Sequence, residues 1–183
     1  MKSTDWDLQY KNDRDYAWLS TSKLTHVLNQ IGAPKSSRAL DIGCGTGQLC
    51  RDLAHRGFIV KGLDYSDTAI YQARQSTILP ADTIHFDVCD IEKDEIHAED
   101  KFDVIFCKYV FAFIASKEIF LQKIASLKTN TGVFVVISPD LTSLPDAKRH
   151  ISMDHQDIIA TLSVHFDNVV SEHVDKDYIY YAR

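Results

Sequence analysis

The N-terminal part of the chain contains one segment with a clear helical period. Apolar residues recur there with the i, i+3, i+4, i+7 spacing of an amphipathic helix, at Leu24, Val27, Leu28 and Ile31. Gly32 and Pro34 follow directly, which predicts that the helix ends there. Residues 1–18 are aromatic and charged without a clear period.

From residue 39 onward, short apolar runs typical of buried strands alternate with segments of helical period. Strands are predicted at 39–42, 58–63, 83–88, 102–107, 133–137, 168–173 and 177–182. Helices are predicted at 47–56, 66–75, 118–128 and 154–166. Ser66 is placed to cap the second of these helices. This alternation is typical of the doubly wound α/β class, a parallel sheet wrapped by helices.

The last two predicted strands are joined by too few residues for a helical crossover. We therefore expect an antiparallel hairpin at one edge of the sheet. The chain has no linker-like segment, and 183 residues suit one domain. We expect a single domain over residues 1–183, in which 1–35 form an N-terminal lid or helix and 36–183 form the core.

A glycine-rich run, Asp41–Gly47, joins the first predicted strand to its helix and holds three of the seven glycines. Glycine permits a positive φ and a close approach of the backbone to a ligand, and a helix N-terminus favours an anionic group. Asp64 ends the second predicted strand, where a carboxylate accepts hydrogen bonds from both hydroxyls of a ribose. Together these features predict a nucleoside-containing ligand at the carboxyl ends of the strands.

The spacing of these glycines separates two classes of nucleoside cofactor. The dinucleotide fingerprint GxGxxG requires glycine at position 48. Gln48 occupies that position, and the pattern is GxGxG. A dinucleotide oxidoreductase is therefore disfavoured.

The segments ALDIGCGTG (Ala39–Gly47) and VKGLDYS (Val60–Ser66) resemble the class I S-adenosylmethionine-dependent methyltransferases. Later segments are similar to the same family in the same order, namely Asp90-Ile91, FDVIFCK (Phe102–Lys108), the turn LKTNTG (Leu127–Gly132) and the C-terminal hairpin. The resemblance covers roughly residues 36–183. It implies a Rossmann-like, seven-stranded, mostly parallel sheet with helices on both faces. It also implies S-adenosylmethionine as the cofactor and S-adenosylhomocysteine as its product.

The resemblance further implies which residues bind the cofactor. Asp41, Gly43 and Gly45 would line its methionine end. Asp64 would hold the ribose, and Tyr65 would lie beside the adenine.

Two later pairs complete the implied cofactor site. Asp90 and Ile91 would read the adenine; Asp87 is the alternative, but the strand alternation points it sideways. Cys107 and Lys108 would touch the cofactor backbone near the acceptor mouth.

The N-terminal residues Trp6-Asp7-x-x-Tyr10, followed by Tyr16, resemble the WDxxY lead-in of small thiopurine- and tellurite-resistance-type methyltransferases. There the lead-in packs over the cofactor, which implies that Tyr10 and Tyr16 bind it. We expect residues 1–18 to act as a lid that excludes water from the sulfonium. Their deletion would then weaken cofactor binding more than it weakens folding.

Net charge, cysteine usage and the length of the apolar runs indicate which partners and which cell compartment to expect. The net charge of −6 does not attract phosphate backbones, so a nucleic acid is not an expected partner. Cys44, Cys50, Cys89 and Cys107 form no CxxC pair and lie in or beside apolar runs, which predicts reduced, mostly buried thiols. No apolar stretch reaches the length of a membrane span, and the N-terminus lacks the apolar core of a signal peptide. We expect a cytoplasmic protein without a membrane partner.

The catalytic groups are not determined by these patterns. Asp140, His150 and His155 are candidates for a general base, needed where the acceptor must lose a proton early. His150, Asp154 and His155 also suggest a metal site, but their spacing suits one helix face poorly and further ligands are lacking, so no metal is predicted. For Cys44 and Cys107 we favour packing over a thiol nucleophile.

Absent motifs narrow the acceptor within this family. The sequence after the fourth predicted strand is CKYV and not [DN]PP[YF], which argues against methylation of an adenine amine. The segment Ser138–Met153 is short and the chain is acidic, which favours a small-molecule acceptor. A methyltransferase that acts on RNA or protein with a partner, and a non-catalytic cofactor-binding module, remain the alternatives. Tyr109, Phe111 and Phe113 are predicted either to pack in the core or to form an aromatic acceptor wall.

Overall fold

The computed structural model of the protein describes residues 3–12, 18–96 and 100–183. The chain packs as two compact units, which divide between Ile96 and His97. That residues 1–183 form a single domain stays a prediction.

The described residues form an α/β fold with a seven-stranded, mostly parallel sheet whose C-terminal strands are antiparallel, which confirms the predicted class. The strands are β1 (Arg38–Ile42), β2 (Ile59–Asp64), β3 (Ile84–Val88), β4 (Phe102–Lys108), β5 (Lys128–Pro139), β6 (Val169–Val174) and β7 (Asp177–Ala182). The helices are α1 (Ser3–Lys11), α2 (Thr21–Ile31), α3 (Gln48–His55), α4 (Asp67–Gln75), α5 (Lys117–Leu127) and α6 (His155–Leu162).

In the first unit, β3, β2 and β1 lie side by side and are parallel. The register pairs Ile42 with Leu63 and Asp64 with Val88, so all three strands end at the same edge. Helices α3 and α4 pack on these strands through their buried faces. The Ser66 hydroxyl accepts a hydrogen bond from the Ala69 amide at 3.1 Å, which confirms the predicted cap of α4.

In the second unit, the strand order is β4, β5, β7, β6, with β4 and β5 parallel. Strands β6 and β7 form the predicted antiparallel hairpin, and Asp175 in the turn between them has a φ of 57°. Aromatic side chains fill the core: the Phe134 ring lies 6.1 Å from the Phe120 ring and 5.8 Å from the Phe166 ring.

Residues Ser3–Lys11 form α1, within the range 1–35 for which a lid or helix was expected although the sequence there shows no clear period. This helix has no strong amphipathic period of its own, and it packs along α4. Contacts between the two helices therefore supply the stability that the local sequence does not.

Two boundaries in the second unit differ from the sequence prediction. The turn expected at Leu127–Gly132 is instead the end of α5 followed directly by β5, with an irregular register near Phe102. A Cβ atom on Gly132 would lie 2.9 Å from the Phe102 carbonyl oxygen, so the strands meet closely there. Helix α6 ends at Leu162 rather than Phe166, because the chain turns and buries the Phe166 ring.

Candidate functional site

The loop after β1 is built from glycines in the left-handed region. Gly43, Gly45 and Gly47 have φ values of 68°, 55° and 80°. The amides of Gly43 and Cys44 donate to the Leu63 carbonyl oxygen at 2.7 and 2.9 Å, which holds the loop against β2. Gly47 precedes α3 and offers no capping side chain, so the loop leads directly to a helix N-terminus.

Asp64 connects this glycine loop to the loop after β2. Its carboxylate is buried, and one oxygen accepts a hydrogen bond from the Gly45 amide at 2.9 Å. The other oxygen accepts from the Ser66 amide at 2.9 Å. Burial raises the pKa of Asp64 above its ordinary value, against the effect of these hydrogen bonds. The Tyr65 amide also donates to this carboxylate. A carboxylate has about four lone-pair positions, so one remains for a ribose hydroxyl.

Asp41 and the thiols of Cys44 and Cys50 form a buried group next to the glycine loop. Asp41 is buried in β1 and accepts a hydrogen bond from the Cys50 thiol at 3.3 Å. A Cβ atom on Gly62 would lie 2.8 Å from the Cys50 sulfur and 3.0 Å from the Cys44 sulfur, so both thiols pack on β2. Burial raises the pKa of Cys44 to about 11 and that of Cys50 well above its ordinary value. Protonated thiols are poor nucleophiles, which supports a packing role for both.

Asp90 and Ile91 follow β3 after one intervening residue, Cys89, and Asp90 thus lies just past the strand end as the sequence predicts. The Asp90 carboxylate accepts from the Glu92 amide at 3.1 Å and pairs with the Lys93 ammonium at 2.5 Å. This pairing raises the pKa of Lys93. Ile91 is buried. An adenine amine at Asp90 would therefore share the carboxylate with Lys93.

Asp87 lies within β3 and pairs with basic side chains of neighbouring segments. Its carboxylate lies 2.8 Å from His85 Nε2, 3.6 Å from the Arg74 guanidinium and 3.8 Å from the Lys61 ammonium. The Asp87 carboxylate is therefore engaged by these three side chains, and the choice of Asp90 over Asp87 for the adenine stays a prediction.

Helix α1 places Tyr10 against the glycine loop. Tyr10 is 7% exposed, and a Cβ atom on Gly45 would lie 2.9 Å from its hydroxyl. The phenol ring of Tyr65, after β2, is partly buried, and burial raises its pKa. Tyr10 and Tyr65 thus stand by the loops after β1 and β2, while Tyr16 lies outside the described residues.

In the second unit, Cys107 and Lys108 end β4. Cys107 is fully buried, whereas the Lys108 ammonium lies 4.9 Å from the centroid of the Tyr109 ring. Tyr109 has a φ of 61°, unusual for an aromatic residue, and its hydroxyl donates to the buried carboxylate of Asp177 at 2.9 Å. A contact of Cys107 or Lys108 with the cofactor stays a prediction.

The three candidate bases have different surroundings in the second unit. Asp140 caps a 3₁₀ turn by accepting from the Thr142 amide at 2.9 Å, and its contacts with Thr142 lower its pKa. His155 begins α6, and its Nδ1 lies 3.0 Å from the Tyr180 hydroxyl. The His150 ring lies 6.4 Å from the Phe113 ring.

A chain of rings links two of these candidates, and the sequence did not predict it. The His155 ring stacks on the Tyr178 ring at 4.1 Å, and the His173 ring lies 4.6 Å from the same tyrosine ring. His173 Nε2 in turn lies 3.3 Å from the Asp140 carboxylate. The alternation of tyrosines along β7 was the available sequence signal, since residues two apart share a face.

Of the aromatic residues after β4, one packs in the core, and an aromatic acceptor wall stays a prediction. Phe111 is 2% exposed and its ring lies 6.2 Å from the Phe120 ring, so it packs in the core. Phe113 is less buried.

Residues 3–12, 18–96 and 100–183 contain no group of three or more His, Cys, Asp or Glu side chains placed to hold a metal ion. Within the part of the chain that the structure describes, none of the helices has both the length and the apolar character that a membrane crossing requires.

Comparison with known proteins identifies the family. The family model described as a methyltransferase domain matches residues 34–182, which is most of the chain. This chain belongs to the methyltransferase domain family. The resemblance derived from the glycine loop and Asp64 is therefore confirmed. The methyltransferase domain is 36% identical over 101 residues to a ubiquinone biosynthesis O-methyltransferase of Rhodopseudomonas palustris (strain TIE-1). The match covers 54% of this chain and 38% of that relative.

Solved structures share the fold of this methyltransferase domain. A TehB-like SAM-dependent methyltransferase from Corynebacterium glutamicum aligns with a TM-score of 0.68 and 21% identity over 98% of this chain and 96% of its own. Magnesium protoporphyrin IX methyltransferase from Synechocystis PCC 6803, solved with bound SAM, aligns with a TM-score of 0.68 and 19% identity over 98% and 91% of the two chains. At these identities the likeness establishes the fold.

Proposed function

We propose that the protein is an S-adenosylmethionine-dependent methyltransferase that acts on a small-molecule acceptor. The observation that carries the proposal is the Asp64 carboxylate, buried and bound to the amides of Gly45 and Ser66. The membership of the protein in the methyltransferase domain family supports the same proposal.

The residues of the first unit fit this cofactor. Beside the three amides that donate to it, the Asp64 carboxylate retains an acceptor position for a ribose hydroxyl. The left-handed glycines let neighbouring side chains approach the backbone of the loop after β1 closely: the Tyr10 hydroxyl fills the space beside Gly45, and the Phe86 ring fills the space beside Gly47. Gly43 and Gly45, with the buried Asp41 behind them, are proposed to line the methionine end. Tyr65, Asp90 and Ile91 are proposed to surround the adenine.

S-adenosylmethionine supplies a methyl group that is already activated on a cationic sulfonium, so the main task of the chain is alignment. Tyr10, held against Gly45, is proposed to cover the methionine end and exclude water. The aromatic face of Tyr10 also favours a nearby cation. Cys107 and Lys108 are proposed to complete the cofactor contacts.

A general base is needed where the acceptor is a hydroxyl, and a relative named as a ubiquinone biosynthesis O-methyltransferase supports such an acceptor. His155 is the best placed of the three candidates, because Tyr178 stacks on it and the Tyr180 hydroxyl orients its Nδ1. Asp140 and His150 stay candidates of lower rank, since Asp140 already caps a turn.

Isothermal titration with S-adenosylhomocysteine tests the cofactor assignment. We expect wild type to bind, and we expect Asp64→Asn to bind at least about tenfold more weakly, because the amide offers one acceptor atom in place of two. Asp87→Asn is the matched control, since it makes the same change on a carboxylate engaged by surface cations. Unchanged binding in Asp64→Asn, or an equal loss in Asp87→Asn, would overturn the assignment.

Transfer of a labelled methyl group tests the acceptor class. We expect wild type to label small hydroxyl-bearing compounds and to leave RNA and protein unlabelled. Label in RNA or protein would favour the macromolecular alternative. Binding of S-adenosylhomocysteine without transfer to any of the three classes would favour a non-catalytic module.

A further inference from the structure

Helix α1 is fastened to the N-terminal end of α4 by the Asp7 carboxylate. This carboxylate accepts hydrogen bonds from the Ser66 hydroxyl at 2.5 Å and from the Thr68 amide at 3.3 Å. The Ser66 hydrogen bond lowers the pKa of Asp7, which indicates that the charged form makes the contact. A carboxylate is also favoured at a helix N-terminus, where amide groups point outward.

A second contact fastens the other end of α1. The Gln72 side-chain amide donates to the Tyr10 carbonyl oxygen at 3.2 Å. Asp7 with Ser66 and Tyr10 with Gln72 thus form two rungs between the helices. We call these four residues the α1 clasp. Two rungs at different points along α1 constrain both its position and its rotation, and with them the place of the Tyr10 ring.

The clasp is continuous with the residues proposed to bind the cofactor. The Ser66 hydroxyl contacts Asp7, while the Ser66 amide donates to Asp64. Asp64 in turn accepts from the Gly45 amide, and Gly45 faces the Tyr10 hydroxyl. The contacts therefore close a ring that leaves α1 at Asp7 and returns to it at Tyr10.

From this ring we propose that Asp7 is a positioning residue, which holds Tyr10 over the glycine loop through Ser66 and thereby sets the affinity for the cofactor. The proposal rests on the proposed function. Asp7 acts through other residues: when its hydrogen bonds are lost, α1 samples an open state in which Tyr10 leaves Gly45. Because the closed state binds the cofactor, the apparent affinity falls in proportion to the fraction of molecules that remains closed.

Three variants and a matched control test the proposal. Asp7→Ala removes both hydrogen bonds, whereas Asp7→Asn keeps a neutral acceptor for Ser66. Gln72→Ala breaks the other rung. Asp67→Ala, in the exposed first turn of α4 next to Ser66, removes the same charge from the same helix end without touching the clasp.

Two measurements are made on each variant of the full chain. Titration with S-adenosylhomocysteine is expected to give a dissociation constant raised about tenfold in Asp7→Ala, about threefold in Asp7→Asn and Gln72→Ala, and less than about twofold in Asp67→Ala. Hydrogen exchange is expected to accelerate in α1 of Asp7→Ala while the amides of β1 and β2 keep their wild-type rates.

The pattern across the variants separates positioning from a merely structural role. Faster exchange in α1 with unchanged affinity would overturn the proposal, because α1 would then open without consequence for the ligand. Unchanged exchange in α1 would overturn it as well, and an effect of Asp67→Ala equal to that of Asp7→Ala would assign the change to helix charge. If wild type fails to bind S-adenosylhomocysteine, the proposed function fails, and the exchange data still decide whether Asp7 holds α1.

Discussion

Replacing Gly45 by alanine tests the placement of α1 over the glycine loop. Gly45 has a φ of 55°, and a Cβ atom there would lie 2.9 Å from the Tyr10 hydroxyl. The left-handed backbone costs an alanine about 1 kcal/mol. Displacement of the Tyr10 ring in a packed contact adds about 1–2 kcal/mol, so the total loss is about 2–3 kcal/mol.

Two matched variants separate these contributions. Gly32 has a φ of 63°, and a Cβ atom there would have no other atom within 4 Å, so Gly32→Ala measures the backbone cost, about 1 kcal/mol. Tyr10→Phe removes the hydroxyl and leaves ring carbons at 3.5 and 3.6 Å, which are ordinary contacts. In the Tyr10→Phe background, Gly45→Ala should therefore cost about as little as Gly32→Ala.

Urea unfolding of the three single variants and the double variant gives the free energies, and thermal unfolding checks them. We expect Gly45→Ala to lower the melting temperature by about 4–12 °C and Gly32→Ala by about 2–4 °C. An equal loss in Gly45→Ala and Gly32→Ala would refute the contact between Tyr10 and Gly45. The contact would also be refuted if Gly45→Ala lowered the free energy of unfolding as much in the Tyr10→Phe background as in the wild-type background.

Three further predictions concern thiols, a helix cap and acid stability. Iodoacetamide at pH 8 should modify the half-buried Cys89 first. Burial raises the pKa of Cys44 from 9.0 to about 11, which lowers its thiolate fraction and therefore its rate of modification about a hundredfold; peptide mass spectrometry measures the rates of both thiols. Asp154→Ala removes the acceptor of the Gln156 amide and should lower stability by about 1 kcal/mol in urea unfolding, with Asp157→Ala in the same helix as the control. The Ser66 hydrogen bond lowers the pKa of Asp7 below 3.8. The charged Asp7 therefore stabilises the fold above about pH 4, and this contribution is lost as the pH falls through the lowered pKa. The difference in free energy of unfolding between wild type and Asp7→Asn should be smaller at pH 3 than at pH 6, and a constant difference would contradict this prediction.

The parts of the site that the sequence predicts are those encoded by neighbouring residues. The run Asp41–Gly47 places three glycines in one turn, and each has the positive φ that its residue type permits. Ser66 stands at the position where a serine can cap a helix, and its hydroxyl caps α4. Asp64 and Asp90 lie at or just past strand ends, as the alternation of apolar residues predicts. These features need no information about distant segments.

The parts that the sequence did not predict depend on residues far apart in the chain. Helix α1 has little period of its own, and its position depends on Asp7 meeting Ser66, 59 residues later. The stacking of His155 on Tyr178 likewise joins α6 to β7. Such pairs arise from strand register and helix packing, which no local pattern specifies.

The sequence by itself thus determined the fold class, the family and the loops at the carboxyl ends of β1, β2 and β3, because glycine conformation, capping and strand period are local properties. The tertiary structure decided that Asp64 holds the glycine loop, that Asp87 faces basic side chains and that α1 places Tyr10 at Gly45. Those contacts depend on distances between segments, and only packing sets such distances.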